Sequence, residues 1–171
     1  MIKSEKKLSE LARILKNNDA RIIKDAVISL REEEPFSGVI ALLTAYYDNS
    51  ADRSLQHTIE DFFNDMKDQS VTEEVISEIH NPWKENTISM LVASCWQSGL
   101  DYSDYLHDIA NLFLKGDYYT AIECMTVIEE SSKKISREDK NELIRIIEIN
   151  PFSGTNEKLL LTEELVSILR K

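Results

Sequence analysis

Glycine, proline and cysteine are scarce in this chain, whose 171 residues include only 4 Gly, 3 Pro and 2 Cys. The glycines are isolated from one another, which excludes a Gly-rich phosphate-binding loop and leaves little sequence for turns. Cys95 and Cys124 are too few for a disulfide framework, and both fall inside predicted helices. This pattern favours reduced thiols in a protein core.

Long apolar runs are also missing. No stretch of the sequence approaches the ~18–20 apolar residues that a membrane span requires. Residues 1–16 are charged and amphipathic, without the continuous apolar segment of a secretory signal. These absences predict a cytoplasmic location and no membrane partner.

Positive charge is in short supply, since 20 basic residues face 31 acidic ones, for a formal net charge of −11. Such a charge repels phosphate backbones at long range and therefore weighs against a nucleic-acid partner. The acidic excess has two interpretations, which are general solubility and an acidic surface that meets a basic partner. Hydrophobic residues at 42% and charged residues at 30% are typical of a folded globular chain.

What the chain does contain is an apolar quartet, spaced i, i+3, i+4 and i+7, that recurs roughly every 33 residues. This spacing places four side chains on one face of an α-helix. One series of quartets begins at Leu8, Val39, Thr72, Leu106 and Lys140. A second series begins at Ile23, Leu55, Ile88 and Ala121. Two interleaved series with one period predict stacked helical hairpins.

Caps and breakers set the expected boundaries of ten helices in five antiparallel hairpins within a single domain, 1–171. The predicted hairpins span residues 4–34, 37–67, 71–98, 103–131 and 136–170. The last hairpin departs from the pattern, because its closest quartet begins at Leu161 and puts Glu164 in a core position. Terminal repeats are often atypical, and the last helix is either a true repeat or a cap.

The first pair, LSELARILKNNDARIIKDAVISL at residues 8–30, resembles a HEAT repeat, with Asp19 in the connection and Ala26 and Leu30 four apart in the second helix. The resemblance extends over roughly residues 5–130. The small residues at fixed positions and the Trp-Leu-Gly opening of tetratricopeptide repeats, which have a similar period, are absent. The HEAT resemblance implies an all-α, right-handed superhelix whose second helices line a concave face that mostly holds other proteins.

A helical wheel shows which side chains of the second helices point away from the quartets, toward that groove. Among them are five carboxylates, the apolar Ile28 and Met90, and no lysine or arginine. We therefore predict an acidic, partly apolar groove for a basic or amphipathic segment, although an ordinary solvated face of an acidic protein has the same composition. The candidate protein-binding residues are Asp25, Ile28, Glu32, His57, Glu60, Asn64, Met90, Gln97, Glu123 and Glu130.

No catalytic, cofactor-binding or metal-binding residues are predicted. Buried thiols are inert, and no repeated His-Glu pair of the kind found in HEAT-like di-iron hydroxylases occurs. The predicted function is a non-enzymatic adaptor, either a monomer or a weak homo-oligomer. One alternative is a structural subunit that self-associates through its end helices, where Leu159-Leu160-Leu161 cannot all face one interior. The other is a HEAT-like DNA glycosylase, which would need a basic concave face.

Overall fold

The structure is a computed structural model that describes residues 2–149 and 155–171. Within that part of the chain there are ten α-helices and no β-strand. Short 3₁₀ helices at Gln69–Val71 and Ser103–Tyr105 precede two of the α-helices. The α-helices are α1 (Ile2–Ile14), α2 (Ala20–Leu30), α3 (Val39–Asn49), α4 (Arg53–Asn64), α5 (Thr72–Ile79), α6 (Glu85–Gln97), α7 (Leu106–Lys115), α8 (Tyr118–Ser132), α9 (Arg137–Ile149) and α10 (Asn156–Arg170).

The chain divides into two compact units, Met1–Leu100 (unit 1) and Asp101–Lys171 (unit 2). In unit 1 the paired helices pack together, α1 on α2, α3 on α4 and α5 on α6. The second helices also pack in succession, α2 on α4 and α4 on α6, while α3 packs on α5. This alternation is typical of stacked helical hairpins. An all-helical fold in which each helix packs on its neighbours is confirmed, while a single domain and a right-handed superhelix remain predictions.

Unit 2 repeats the same alternation in its two helix pairs. Helix α7 packs on α8 and α9, and α10 packs on both α8 and α9. The face that α10 buries differs from the predicted quartet, because Glu164 is exposed while Leu161, Leu165 and Leu169 are buried. A one-residue shift along the helix surface keeps the carboxylate in water, where its charge is not desolvated.

The quartets predict the core well. All four residues of the quartet that begins at Leu106 are buried, and so are all four residues of the quartet that begins at Leu55. Cys95 and Cys124 are both buried, as predicted, and neither forms a disulfide. No helix in the described residues is both long and apolar enough to cross a membrane.

Local signals at the helix ends are mostly confirmed. Asp19 accepts a hydrogen bond from the backbone N–H of Arg21 (2.9 Å) at the start of α2. Gly99 has the left-handed conformation expected after α6, with φ of 71°. The predicted extension of the second helix to Glu34 is wrong, because α2 ends at Leu30. Acidic residues at a helix C-terminus oppose the helix dipole, and the chain leaves the helix before this acidic run.

Candidate functional site

The predicted groove residues of the first hairpin do not form an acidic surface. Asp25 is exposed on α2, and Ile28 is 43% exposed. Arg21 and Lys24 are also exposed on this helix, seven and four residues before Ile28, and therefore on the same face. Glu32 lies beyond the end of α2. The surface around Ile28 is consequently mixed in charge.

In α4, Glu60 already has partners within the protein. Its Oε1 accepts a hydrogen bond from the Tyr47 hydroxyl (2.7 Å), and its Oε2 lies 2.8 Å from Nδ1 of the exposed His57. The pKa of Tyr47 is raised, mainly because its phenol is buried and to a smaller extent because the hydroxyl donates to Glu60. Asn64, the last residue of α4, is half-buried. Glu60 therefore joins α3 to α4 and has little capacity left for a partner.

In α6, the prediction that Met90 faces a groove is wrong, since this side chain is only 9% exposed. Helix α6 packs against α3, α4 and α5, which buries a broader arc of its surface than one quartet covers. Gln97 is exposed at the end of this helix. Glu123 and Glu130 belong to unit 2, where Glu123 is half-buried and Glu130 forms an ion pair with Lys133 (2.8 Å).

A cavity of about 580 Å³ lies in unit 1, between the C-terminal ends of α2 and α4. We call it the 31–36 pocket, after the connection between α2 and α3 that forms one side of it. The other side is the end of α4 with the residues that lead into the 3₁₀ turn at Gln69–Val71. Its volume lies within the range of ~300–1,000 Å³ that is common for ligand sites.

The floor of this pocket is apolar. Val39, Phe62, Met66 and Val71 are each buried, so the floor is formed by the folded core itself. The ring of Phe62 packs edge-on against the fully buried Phe63, with ring centroids 5.6 Å apart and planes at 87°. Packing of this kind is favourable for aromatic pairs and holds the Phe62 ring in place.

Half-buried side chains complete the apolar lining at the α2 side. Leu30 ends α2, and Phe36 follows Pro35 in the connection to α3. The ammonium group of Lys7 lies 5.6 Å from the centroid of the Phe36 ring, a distance that permits a cation–π interaction. Phe36 also lines two adjoining cavities, of about 270 and 460 Å³. The 31–36 connection is therefore surrounded by accessible space rather than packed into the core.

The rim is predominantly acidic. Five carboxylates and two cations line the pocket, a formal excess of three negative charges (five minus two). The carboxylates are those of Glu32, Glu33, Glu34, Asp65 and Asp68, and the cations are Arg31 and Lys67. An acidic rim around an apolar floor attracts a positively charged ligand and repels an anionic one.

Three of the five carboxylates are occupied by partners in the fold. Glu33 forms an ion pair with Lys7 (2.6 Å), and Asp65 forms one with Arg31. Asp68 accepts a hydrogen bond from the backbone N–H of Ser70 (2.9 Å), and this bond, together with that from the Ser70 side chain, lowers the pKa of Asp68. The side-chain carboxylates of the other two, Glu32 and Glu34, form no hydrogen bond or ion pair with any residue that the structure describes.

Sequence reasoning identified only Glu32 among the residues of this pocket. The signals that could have indicated it are the Glu32–Glu34 run directly before Pro35, and the adjacent pair Phe62-Phe63 at the end of α4. Neither signal shows that the two segments meet, because they are separated by a whole helix in the sequence. The meeting depends on the packing of α2 against α4.

The described lining contains no serine, cysteine or histidine. Over residues 2–149 and 155–171, no three His, Cys, Asp or Glu side chains are arranged to hold a metal ion. The arrangement is suited to holding a ligand by apolar contact and charge. Comparisons of the chain with protein-family models, with curated proteins and with solved structures gave no match.

Proposed function

We propose that this chain is a non-enzymatic protein-binding scaffold, a HEAT-like solenoid of helical hairpins, and that the 31–36 pocket anchors a segment of another protein. The repeat in the sequence and the alternate packing of first and second helices within each unit support the architecture. Helical repeats of this kind present extended surfaces that suit protein partners.

The observation that carries the proposal is the combination of a preformed apolar floor with the two rim carboxylates, Glu32 and Glu34, that have no partner among the described residues. Both carboxylates are exposed at the mouth of an apolar cavity, so they are accessible to a ligand. The acidic face first predicted on the second helices is a weaker candidate, because Glu60 is engaged and Met90 is buried.

The test is a selection of random peptides on the full chain, repeated on two variants that each add one guanidinium. Met66→Arg places its cation at the pocket, whereas Gln97→Arg places one on the exposed end of α6. We expect the selected peptides to bind the wild type and the Gln97→Arg variant and to fail on the Met66→Arg variant. Circular dichroism of each variant checks that the helices remain folded.

The opposite pattern, with peptides lost on Gln97→Arg and kept on Met66→Arg, would reject the pocket in favour of the second-helix face. Peptides that bind all three proteins equally would place the binding site elsewhere on the chain.

A second candidate function, self-association, is favoured by the exposed apolar side chains of the last hairpin. Ile149 at the end of α9, and Leu159 and Leu160 in α10, are all exposed, Leu160 at 64%. Exposed apolar side chains mark an interface where they form a contiguous patch, and Leu159 and Leu160 are adjacent in the sequence. Sedimentation at rising protein concentration tests this function, and self-association that Leu159→Ser/Leu160→Ser abolishes would support it. A chain that stays monomeric at every concentration would exclude it.

A further inference from the structure

We propose that the ligand of the 31–36 pocket is a peptide segment that carries a lysine or arginine next to an apolar side chain, with the cation on Glu32 and Glu34 and the apolar group on the floor. This inference rests on the proposed function and specifies its ligand. It goes beyond that function in assigning a separate chemical role to the rim and to the floor.

The rim determines the charge of the ligand. Glu32 and Glu34 are both exposed and line the same mouth, one residue apart on either side of Glu33. Glu33 is held by Lys7, so this middle carboxylate is already neutralised within the fold. A cationic side chain at the mouth gains two carboxylates without displacing an existing ion pair. An anionic segment meets the formal excess of three negative charges and is repelled.

The apolar floor of the pocket determines which residue of the ligand is adjacent to its lysine or arginine. Met66 and Phe62 are buried at the bottom of the cavity, beside Val39 and Val71. Methionine adapts to ligands of different shape, because it has several rotatable bonds and a polarisable sulphur. A leucine, methionine or phenylalanine of the partner would be desolvated there, which gives the site apolar binding energy. A lone cation gains nothing from this surface, and a lone apolar side chain leaves the rim unused.

A protein segment fits these features better than a small metabolite. The pocket has a volume of about 580 Å³, and Phe36, which lines it, also lines two further cavities of about 270 and 460 Å³. A chain that enters at the rim can therefore extend along the 31–36 connection in either direction. Ligand sites for drug-sized molecules are usually more enclosed and place precise polar groups inside, whereas the charges of this pocket are at its rim.

The methyl groups of the methionines can be used to test this proposal, because their signals show where on the protein a peptide binds. The chain contains 4 Met, of which Met66 lines the pocket, while Met90 and Met125 lie in α6 and α8. NMR spectra are recorded on the full-length protein with ¹³C-labelled methionine methyl groups. The signal that disappears in the Met66→Leu variant is the signal of the pocket. Three short capped peptides are titrated, one with adjacent leucine and arginine, one with leucine and glutamine, and one with serine and arginine.

We expect the leucine–arginine peptide alone to shift the Met66 methyl signal to saturation, with Met90 and Met125 unchanged. The double variant Glu32→Gln/Glu34→Gln should bind this peptide about fivefold more weakly, because exposed ion pairs each contribute modestly. The control variant Glu157→Gln/Glu163→Gln removes the same charge from exposed positions of α10 in unit 2 and should leave the affinity unchanged. Raising the salt to about 0.5 M should weaken binding to the wild type and have less effect on the rim variant.

Every other outcome rejects a specific part of the proposal. Equal binding of the leucine–glutamine peptide, or an equal loss in both double variants, rejects the cationic ligand while the pocket remains a binding site. Binding of the serine–arginine peptide at full strength rejects the role of the floor. Shifts at Met90 or Met125 without a shift at Met66 reject the pocket itself, and with it the proposed function. No shift with any peptide rejects this ligand class.

Discussion

The acidic side chains at the ends of α2 and α3, both in unit 1, have different surroundings. Asp48, near the end of α3, accepts hydrogen bonds from the backbone N–H of Lys84 (2.9 Å) and from the hydroxyl of the fully buried Thr87 (2.8 Å). Glu32 and Glu34, after the end of α2, accept none from the described residues and border a cavity. The same chemical group is thus a structural element in one place and a candidate binding group in the other.

The position of Asp48 explains its structural role. Lys84 is the N-terminal flanking residue of α6, so the carboxylate lies at the positive end of that helix dipole and binds an N–H group that has no partner within the helix. Burial alone would raise the pKa of Asp48, but the hydrogen bonds from Lys84 and Thr87 outweigh it and lower the pKa below its ordinary value. The carboxylate therefore links α3 to α6, two helices that are not neighbours in sequence.

The largest effect that we predict from this comparison is the loss of stability in Asp48→Ala. Removal of the carboxylate leaves the Thr87 hydroxyl and the Lys84 N–H without their acceptor, which should cost about 2 kcal/mol. The measurement is urea unfolding followed by tryptophan fluorescence, because the only 2 Trp of the chain, Trp83 and Trp96, are both in unit 1. The matched control is Asp61→Ala, an exposed position in α4 that should change stability by less than about 0.5 kcal/mol. Equal losses in the two variants would contradict the prediction.

Acid should remove the stabilisation that Asp48 contributes. Its pKa is lowered in the folded state, so the folded protein binds fewer protons than the unfolded chain in this range. The stabilisation is therefore present above the ordinary value of 3.8 and is lost as the pH falls through the lower, folded value. We expect the stability difference between wild type and Asp48→Asn to be constant from about pH 7 to pH 5 and to shrink below about pH 4. A difference that does not change with pH would mean that Asp48 acts through its shape and not through its charge.

Glu74 is an intermediate case, a half-buried carboxylate with one partner. It accepts a hydrogen bond from the backbone N–H of Gly38 (2.7 Å), yet burial raises its pKa, and the nearby Glu78 adds to the increase. A raised pKa means that ionisation of Glu74 opposes folding, so this group favours the folded state below the ordinary value of 4.5 and loses that effect as the pH rises.

The variant Glu74→Gln should consequently stabilise unit 1 by a few tenths of a kcal/mol at about pH 7, because an amide oxygen can still accept from Gly38 and carries no charge to desolvate. The gain should disappear below about pH 4, where the wild-type side chain is protonated as well. Urea unfolding at both pH values measures it, and destabilisation at neutral pH would show that the ionised hydrogen bond outweighs the desolvation.

The comparison also shows which features a sequence can predict. The quartets that begin at Leu55 and Leu106 predict buried faces correctly, because helical periodicity is a local property. Met90 was misassigned because a wheel assumes one buried face, whereas α6 packs on three helices. Glu164 was misassigned for a related reason, since α10 buries Val166 and Leu169 in place of Glu164 and Ile168.

The candidate site is the part that the sequence predicts least. Its two sides, the 31–36 connection and the end of α4, come together through the packing of α2 on α4, and no local pattern encodes that contact. The presence or absence of a partner for each carboxylate is likewise a tertiary property. Asp48 and Glu32 both follow apolar helical segments in an acidic chain, and only the position of Thr87 and Lys84 distinguishes them.

The smallest effect on stability should come from Glu32→Gln/Glu34→Gln, although this variant removes two carboxylates and Asp48→Ala removes one. Because neither glutamate has a partner in the described fold, the free energy of unfolding should change by less than about 0.5 kcal/mol, with a slight gain where the loss of charge relieves repulsion along the Glu32–Glu34 run. Glu33→Gln is the matched comparison, since it breaks the ion pair with Lys7 (2.6 Å) and should destabilise unit 1. A loss in the double variant larger than that of Glu33→Gln would show that the two rim carboxylates serve the fold. Unchanged stability would agree with the proposal that the two carboxylates bind a ligand and do not stabilise the fold.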